Sequence, residues 1–373
     1  MRNASVIGLL VAGLLVACSD RATVGDGAAI WPDLVLDQPV VDLGADASHD
    51  LGLPDGPPRD APSADGDLST TPWQVLQVAG GADLHDVACL TGGHVFIAGS
   101  GGTLLHHDPV SPGSLSPQVV GDPAAPVTSD LYTVTFADTT YGAVAGKDWR
   151  IWETRDLGQT WPVAPQCSAF TFDTFFSLHL TSASAGFGAG ITVNNQGGGY
   201  KYYTGYSWVC GPITYPGEVF YDVFRLGQGG WIVGDTAGKI YRTADGGSVW
   251  VGYSAGTTET LRAVTFHGSG NPGVAVGEMG TIVVSTDGAG SIWSAVASSV
   301  TTDLLGVTMV DSLVGWAVGK GGVLLRTADG GQSWSAVPSG VSADLESVCF
   351  TSQSDGWVVG QGGTVLHTTS GGL

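Results

Sequence analysis

Positive charge is scarce in this 373-residue chain, with 13 lysines and arginines against 34 aspartates and glutamates and a formal net charge of −21. Nucleic acids and anionic lipid surfaces are held by clustered basic side chains, so neither is an expected partner through charge alone. Long apolar runs are missing as well. The longest, from Val6 to Val16, falls well short of the ~20 residues that a spanning helix requires. No stretch repeats its apolar residues with helical period. What is abundant is glycine, at 59, and tryptophan, at 12. Few charges, many tight-turn residues and many aromatics suit a β-rich fold.

The amino terminus reads as a targeting segment. Arg2 supplies a short positive region, Val6 to Val16 is apolar, and Leu15-Val16-Ala17 leads directly to Cys18. A secretory apolar region has this length and ends at small residues before its cleavage site. A cysteine at that point resembles the lipobox of bacterial lipoproteins. The resemblance implies a signal peptide over residues 1–17, a diacylglycerol thioether on Cys18 and an acylated amino terminus, which together anchor stably. Ser19, rather than Asp, follows the cysteine, which favours the outer membrane in lipoproteins of this type. The alternative is an ordinary signal peptide with a chance cysteine.

Residues 18–71 differ in composition from the rest of the chain. From Ser19 to Thr71 there are 11 aspartates, two arginines and no glutamate or lysine, among many Pro, Gly and Ala. Such a segment buries too little apolar surface to offset its ordering entropy. It is expected to be a disordered, self-repelling linker. No D-x-D-x-D-G loop marks a calcium site in it.

From residue 72 to 373 the chain repeats. Seven openings recur: LHDVAC at 84, LYTVTF at 131, FFSLHL at 175, FYDVFR at 220, LRAVTF at 261, LLGVTM at 304 and LESVCF at 345. Each alternates as a half-buried strand does. A second strand ending in glycine comes next, as in GWIVG at 230, GVAVG at 273, GWAVG at 315 and GWVVG at 356. A third strand succeeds it, and a fourth starts at a tryptophan. Four short strands per ~45 residues is the pattern of a β-propeller blade. Trp250, Trp293 and Trp334 each precede the next opening by eleven residues, and so does Trp73. The last unit, ending HTTSGGL, has no tryptophan of its own. The expected fold is therefore an all-β, seven-bladed β-propeller whose last blade is closed by the N-terminal strand, which removes an open sheet edge.

Between third and fourth strands runs the motif Ser/Thr-x-Asp-x-Gly-x-x-Trp, the Asp-box or BNR repeat. It is carried by Asp156 and Trp161, Asp245 and Trp250, Asp329 and Trp334, and, with one extra residue, Asp287 and Trp293. In the last unit Ser370 takes the Asp position. The carboxylate is expected to accept backbone N–H bonds within the turn, and the tryptophan to anchor it, so these residues are structural rather than catalytic. Residues 72–373 resemble the photosystem II assembly and stability factor family, which shares the run seen here from Gly315 to Trp334. The resemblance implies a seven-bladed propeller that binds protein. Photosynthetic members carry a basic patch, whereas this chain has four lysines.

Sialidases also carry Asp-boxes, but their catalysis needs three converging arginines and paired acidic and tyrosine groups. Arg242 and Arg326 stand at equivalent third-strand positions, and no Phe-Arg-Ile-Pro start is present. The glycine turns AGSGG at Ala98 and GKGG at Gly319 read as hairpins rather than phosphate loops. His106, His107 and Asp108 are adjacent without a second ligand cluster, so neither metal nor cofactor is expected.

Three candidate constellations remain. An acidic residue stands one or two positions before each opening: Asp83, Asp130, Asp173, Glu218, Glu259, Asp303 and Asp344. They form either a negative rim for a basic ligand or ordinary turn residues at a strand entry. Asp148 and Trp149 in unit two, with Asn194 and Asn195 in unit three, mark a candidate partner face. Cys167 and Cys210 are expected to pair, and Cys89 and Cys349, on the inner strands of the first and last units, are either a ring-locking disulfide or unreacted buried thiols. The functional expectation is a monomeric, lipid-anchored propeller of the bacterial cell envelope. It would serve as a non-enzymatic binding or assembly scaffold for a protein or glycan. The runner-up is a glycan-binding or sialidase-like propeller.

Overall fold

A computed structural model describes residues 72–77, 80–111, 114–165, 172–192, 198–203, 208–210, 218–234, 237–268, 270–285 and 287–373. The expectations for the signal peptide, Cys18, the linker, Cys167, Asn194 and Asn195 lie outside these residues.

The described chain is an all-β propeller. Each opening forms the inner strand of an antiparallel sheet and is followed by its neighbours in chain order. In unit one the strands are Leu84–Cys89, Val95–Gly99, Leu104–His107 and Leu115–Pro117. The inner strands of units two to seven are Leu131–Phe136, Phe172–Ser182, Phe220–Leu226, Leu261–Phe266, Leu304–Met309 and Leu345–Phe350. The first hydrophobic residue of each opening is fully or almost fully buried, at 0–1% exposure for Leu84, Leu131, Phe175, Phe220, Leu261, Leu304 and Leu345.

The expectation of seven complete blades is corrected. Among the described residues six sheets have four strands, and unit two has three, Leu131–Phe136, Gly142–Gly146 and Ile151–Thr154. Its outer position is reduced to a single bridge between Trp152 and Val163. The cause is local. Pro162 and Pro165 flank that bridge and have no N–H to give to a ladder. The Asp-box ahead of them is intact, which is why the motif alone signals a full blade.

The last sheet is closed from the front of the chain. Gln74–Gln77 pairs antiparallel with Thr364–Thr368, with Val75 opposite Leu366. Trp73 is 0% exposed and stands edge-on to Trp316, with ring centroids 5.4 Å apart. A Cβ on Gly372 would lie 2.9 Å from its indole Nε1. Trp73 thus occupies the place that the unit's own Asp-box tryptophan would fill. The core lies between neighbouring sheets. Trp73, Trp316, Leu345 and Leu366 share one cluster across units six and seven, and Trp357, Val365, Leu84 and Ile97 share the next across units seven and one.

The glycine ending every second strand has one cause throughout. A Cβ on Gly99, Gly146, Gly190, Gly234, Gly277, Gly319 or Gly360 would fall 1.9–2.5 Å from the carbonyl oxygen of a residue at the entry to the same sheet's inner strand. The turn after this glycine then folds onto that strand's entry. Ser100, Lys147, Lys320 and Gln361 each donate a backbone N–H to the carbonyl of Asp83, Asp130, Asp303 and Asp344 respectively, at 2.8–3.0 Å. Second-to-third turns and inner-strand entries therefore share one face.

Candidate functional site: the mouth of the central channel

The inner strand is the sheet edge that faces the central channel, and its outward N–H groups need acceptors. In units one to four, third and fifth residues of the openings supply several of them to the next unit. Asp86 Oδ2 accepts Val134 N at 2.9 Å, Thr133 Oγ1 accepts Leu178 N at 3.1 Å, and Asp222 Oδ2 accepts Val264 N at 2.8 Å. From the fifth position, Thr135 Oγ1 accepts Leu180 N at 3.4 Å and His179 Nδ1 accepts Arg225 N at 2.7 Å. Ser347 Oγ donates to Asp86 at 2.9 Å, and Ser177 Oγ donates to Asp222 at 2.6 Å. One Ser–Asp–N–H relay is thus built twice.

Water reaches Asp86 and Asp222 along the channel, yet protein surrounds them on every side. Burial pushes both carboxyls up, Asp222 to about 7 with the charge of Asp86 adding to it. Burial likewise lowers His179 to about 4.

The second residue of each opening lines the mouth: His85, Tyr132, Phe176, Tyr221, Arg262, Leu305 and Glu346, all half-buried. The first five form a continuous arc. Ring centroids are 4.8 Å apart for His85 and Tyr132, 5.7 Å for Tyr132 and Phe176, and 5.6 Å for Phe176 and Tyr221. The Arg262 guanidinium then sits 4.1 Å from the Tyr221 centroid and ion-pairs with Glu278. Leu305 and Glu346 close the circle. His85 Nε2 is tied to Ser100 Oγ at 2.9 Å, and Gln361 Nε2 donates to Glu346 Oε1 at 3.4 Å. The channel they open into, lined by the inner strands along their length, has a volume of about 430 Å³.

Four of the acidic residues noted from sequence staple neighbouring units. Asp83 accepts Gly362 N, Asp130 accepts Gly101 N, Asp303 accepts Met279 N and Asp344 accepts Gly321 N, at 2.8–3.1 Å. Lys147 and Lys320 pair with Asp130 and Asp303, each at 2.7 Å. Glu218 accepts from the Tyr241 hydroxyl at 3.1 Å. Glu259 precedes the unit-five opening, and Asp173 lies within the inner strand of unit three.

Asp148 and Trp149 are in the unit-two turn on this same face. Both have positive φ, 68° and 54°, at positions where units one, six and seven carry two glycines. A bulky residue there is uncommon, and the Trp149 side chain is 39% exposed.

The Asp-box residues hold their own turns. Asp156 accepts Thr160 N at 2.9 Å, Asp329 accepts Ser333 N at 2.9 Å, Asp245 accepts Ser248 N at 3.0 Å and Asp287 accepts Gly290 N at 2.8 Å. Trp161, Trp293 and Trp334 each donate Nε1–H to the motif glycine carbonyl at 3.0 Å. Trp250 is 7% exposed and packs on Phe187. Cys89 and Cys349 form a disulfide. Cys210 ends the outer strand Trp208–Cys210 of unit three. His106, singled out with His107 and Asp108, stacks on Phe96 and lies 3.1 Å from His94 Nδ1 through its Nε2. Among the described residues no three metal-ligating side chains gather.

Sequence reasoning passed over the second position of the openings. Its signal is visible only when the seven are stacked: His, Tyr, Phe, Tyr, Arg, Leu, Glu, a column of large and mostly flat side chains at one slot.

Comparison with known proteins agrees on the fold. Residues 290–373 match the family described as photosynthesis system II assembly factor YCF48. A structure of YCF48 bound to a D1 peptide is similar at 19% identity and TM-score 0.66, covering 81% of this chain and 96% of that one. YCF48 from Cyanidioschyzon merolae is similar at 17% identity and TM-score 0.65, covering 79% and 98%. The WD40 β-propeller domain of Doa1 is similar at 13% identity and TM-score 0.63, covering 79% and 96%. No curated protein matches the chain by sequence. The chain is a β-propeller like that of the photosystem II assembly factor.

Proposed function

We propose that the protein is a lipid-anchored propeller outside the cytoplasm that binds a protein partner, as an assembly scaffold without catalysis. The observation that carries this reading is the half-exposed arc His85–Tyr132–Phe176–Tyr221 at the channel mouth, on the same face as the exposed Trp149. Aromatic side chains that are rigid and partly wet are favoured contact residues of binding surfaces. A similar propeller, YCF48, has been captured with a peptide, which supports protein binding by this fold. Glycoside hydrolysis is less well supported, because Arg262 is the single arginine lining the channel among the described residues. The anchor rests on the Leu15-Val16-Ala17-Cys18 run. Outer-membrane placement comes from Ser19 in the same reading.

The test is capture from solubilised membranes of the source cells with the full-length, lipidated protein, side by side with Tyr132→Ala and Trp149→Ala. A partner retained by the parent and lost from both variants is expected. A partner retained equally by all three refutes the mouth as its site. Mass spectrometry of the amino-terminal peptide reads the anchor: the parent carries acyl mass on Cys18 and Cys18→Ser carries none.

A further inference from the structure

The channel mouth is chemically lopsided. The channel behind it is lined by four carboxyls, Asp86, Asp222 and Glu346 on the mouth half and Asp138 beyond the far end of its inner strand, and by one guanidinium, Arg262. That guanidinium is engaged by Glu278. The nearby lysines, Lys147 and Lys320, are paired with Asp130 and Asp303. The two lining histidines, His85 and His179, are lowered by burial and stay neutral at pH 7. Residues 72–373 as a whole carry 23 acidic and 10 basic side chains. The channel is thus rich in carboxyls and ringed by flat side chains at its mouth.

The carboxyls are not equally occupied. Asp138 accepts Thr140 N, Tyr141 N and the Thr140 hydroxyl. Asp86 and Asp222 each accept three bonds from the inner strands and their serines. Glu346 has one contact, the 3.4 Å bond from Gln361. Burial first, and then the charges of Asp344 and Asp83, push its carboxyl up against the Gln361 bond and the charge of Lys320, which is itself paired with Asp303. It sits between Leu305 and His85, where the arc of rings is interrupted.

The chain itself shows which cation suits these walls. Arg262 lies over Tyr221, 4.1 Å from the ring centroid, with its charge on a carboxylate. The other end of the arc offers the same two ingredients, His85 and Tyr132 with Glu346 in the neighbouring unit, and its one nearby cation, Lys147 at the Tyr132 hydroxyl, is paired with Asp130 rather than with Glu346.

We propose that the mouth of the channel takes the guanidinium of an arginine presented by a protein partner, seated against the His85–Tyr132 end of the arc and paired with Glu346. This rests on the scaffold reading above and names the chemistry of its contact. Planarity, weak hydration and two-pronged pairing favour arginine over lysine at such a site. The negative lining disfavours a carboxylate or phosphate.

The test titrates the protein with two blocked tripeptides, acetyl-Gly-Arg-Gly-amide and its citrulline counterpart, at pH 7.5 and 150 mM salt. Proton NMR reads the aromatic resonances. The arginine peptide should bind and shift tyrosine signals, and the isosteric but neutral citrulline peptide should not. Glu346→Gln should weaken the arginine peptide by on the order of 5-fold, and Tyr132→Leu by a similar factor. A lysine peptide should bind more weakly than arginine. Equal binding of the arginine and citrulline peptides, or of the parent and Glu346→Gln, overturns the proposal. Capture of a partner that depends on Tyr132, together with no binding of the arginine peptide, sinks the guanidinium assignment while leaving the scaffold reading intact.

Discussion

Cys349 is bonded to Cys89 across 260 residues of chain, with their Cα atoms 5.7 Å apart. Cys349 holds the fifth position of its opening and Cys89 the sixth. The one-residue offset is the stagger that the rest of the ring uses: Thr135 and His179, at fifth positions, reach Leu180 N and Arg225 N at sixth positions of the next unit. The disulfide is the covalent form of that contact, placed between last unit and first. The chain-entropy model puts its effect at about 5 kcal/mol for so long a loop. Reductant should lower the thermal midpoint of the parent protein by more than that of Cys349→Ser, in which only a Cys167–Cys210 bond is left to reduce. Identical midpoints with and without reductant would show that the bond constrains nothing.

Trp73 should matter as much as any residue of the repeats. It is fully buried between Trp316 and Phe350 and leads directly into a strand of only four residues. Trp73→Ala should cost about 3–5 kcal/mol. Urea denaturation followed by far-UV circular dichroism measures it, and a loss below about 1 kcal/mol would mean that the strand adds little to the ring.

Asp222 gives the ring a pH dependence of defined sign. Its folded carboxyl is raised to about 7 by burial, while an unfolded aspartate titrates near ~3.9. Its contribution is therefore complete below the unfolded value and is lost as pH rises through about 7. His179, lowered to about 4 by burial, runs the other way, being complete above its unfolded value and lost as pH falls. The comparison must be with Asp222→Asn, in which the histidine term cancels. From pH 5 to pH 8 the urea midpoint of the parent should fall relative to that variant. A constant difference would place the proton elsewhere.

The Asp-boxes should behave as independent turn clamps. Asp329 accepts from Ser333 N, the Ser333 hydroxyl and the Thr327 hydroxyl, and the first of these hydroxyl bonds leads in holding its carboxyl below the usual range. Asp329→Ala should cost about 1–2 kcal/mol without altering partner capture. Loss of capture at unchanged stability would make the box a contact residue.

The repeat itself was legible because its markers answer to sterics. A second-strand glycine is demanded by a carbonyl at 2.5 Å or less, and a tryptophan eleven residues before four of the openings, Leu84, Leu261, Leu304 and Leu345, by the turn it fills. The donated N-terminal strand emerged from the same count. The incomplete sheet of unit two was hidden behind an intact Asp156–Trp161 box, although Pro162 and Pro165 were in plain view. The channel mouth escaped notice for a different reason. Alternation sorts side chains into core and solvent, and His85, Tyr132, Phe176 and Tyr221 belong to neither: they face an interior that is wet. For Asp83, Asp130, Asp303 and Asp344, the structure shows that each caps an N–H of the preceding unit, a role that depends on a neighbour some 20 or more residues away in sequence.

The pairing of Gln74–Gln77 with Thr364–Thr368 also sets an order of events. The earliest-made strand of the propeller has no partner until the latest has left the ribosome, so the nascent chain must carry an unsatisfied ribbon throughout its synthesis. Any cell that makes this protein has to keep that ribbon from pairing with a stranger in the meantime.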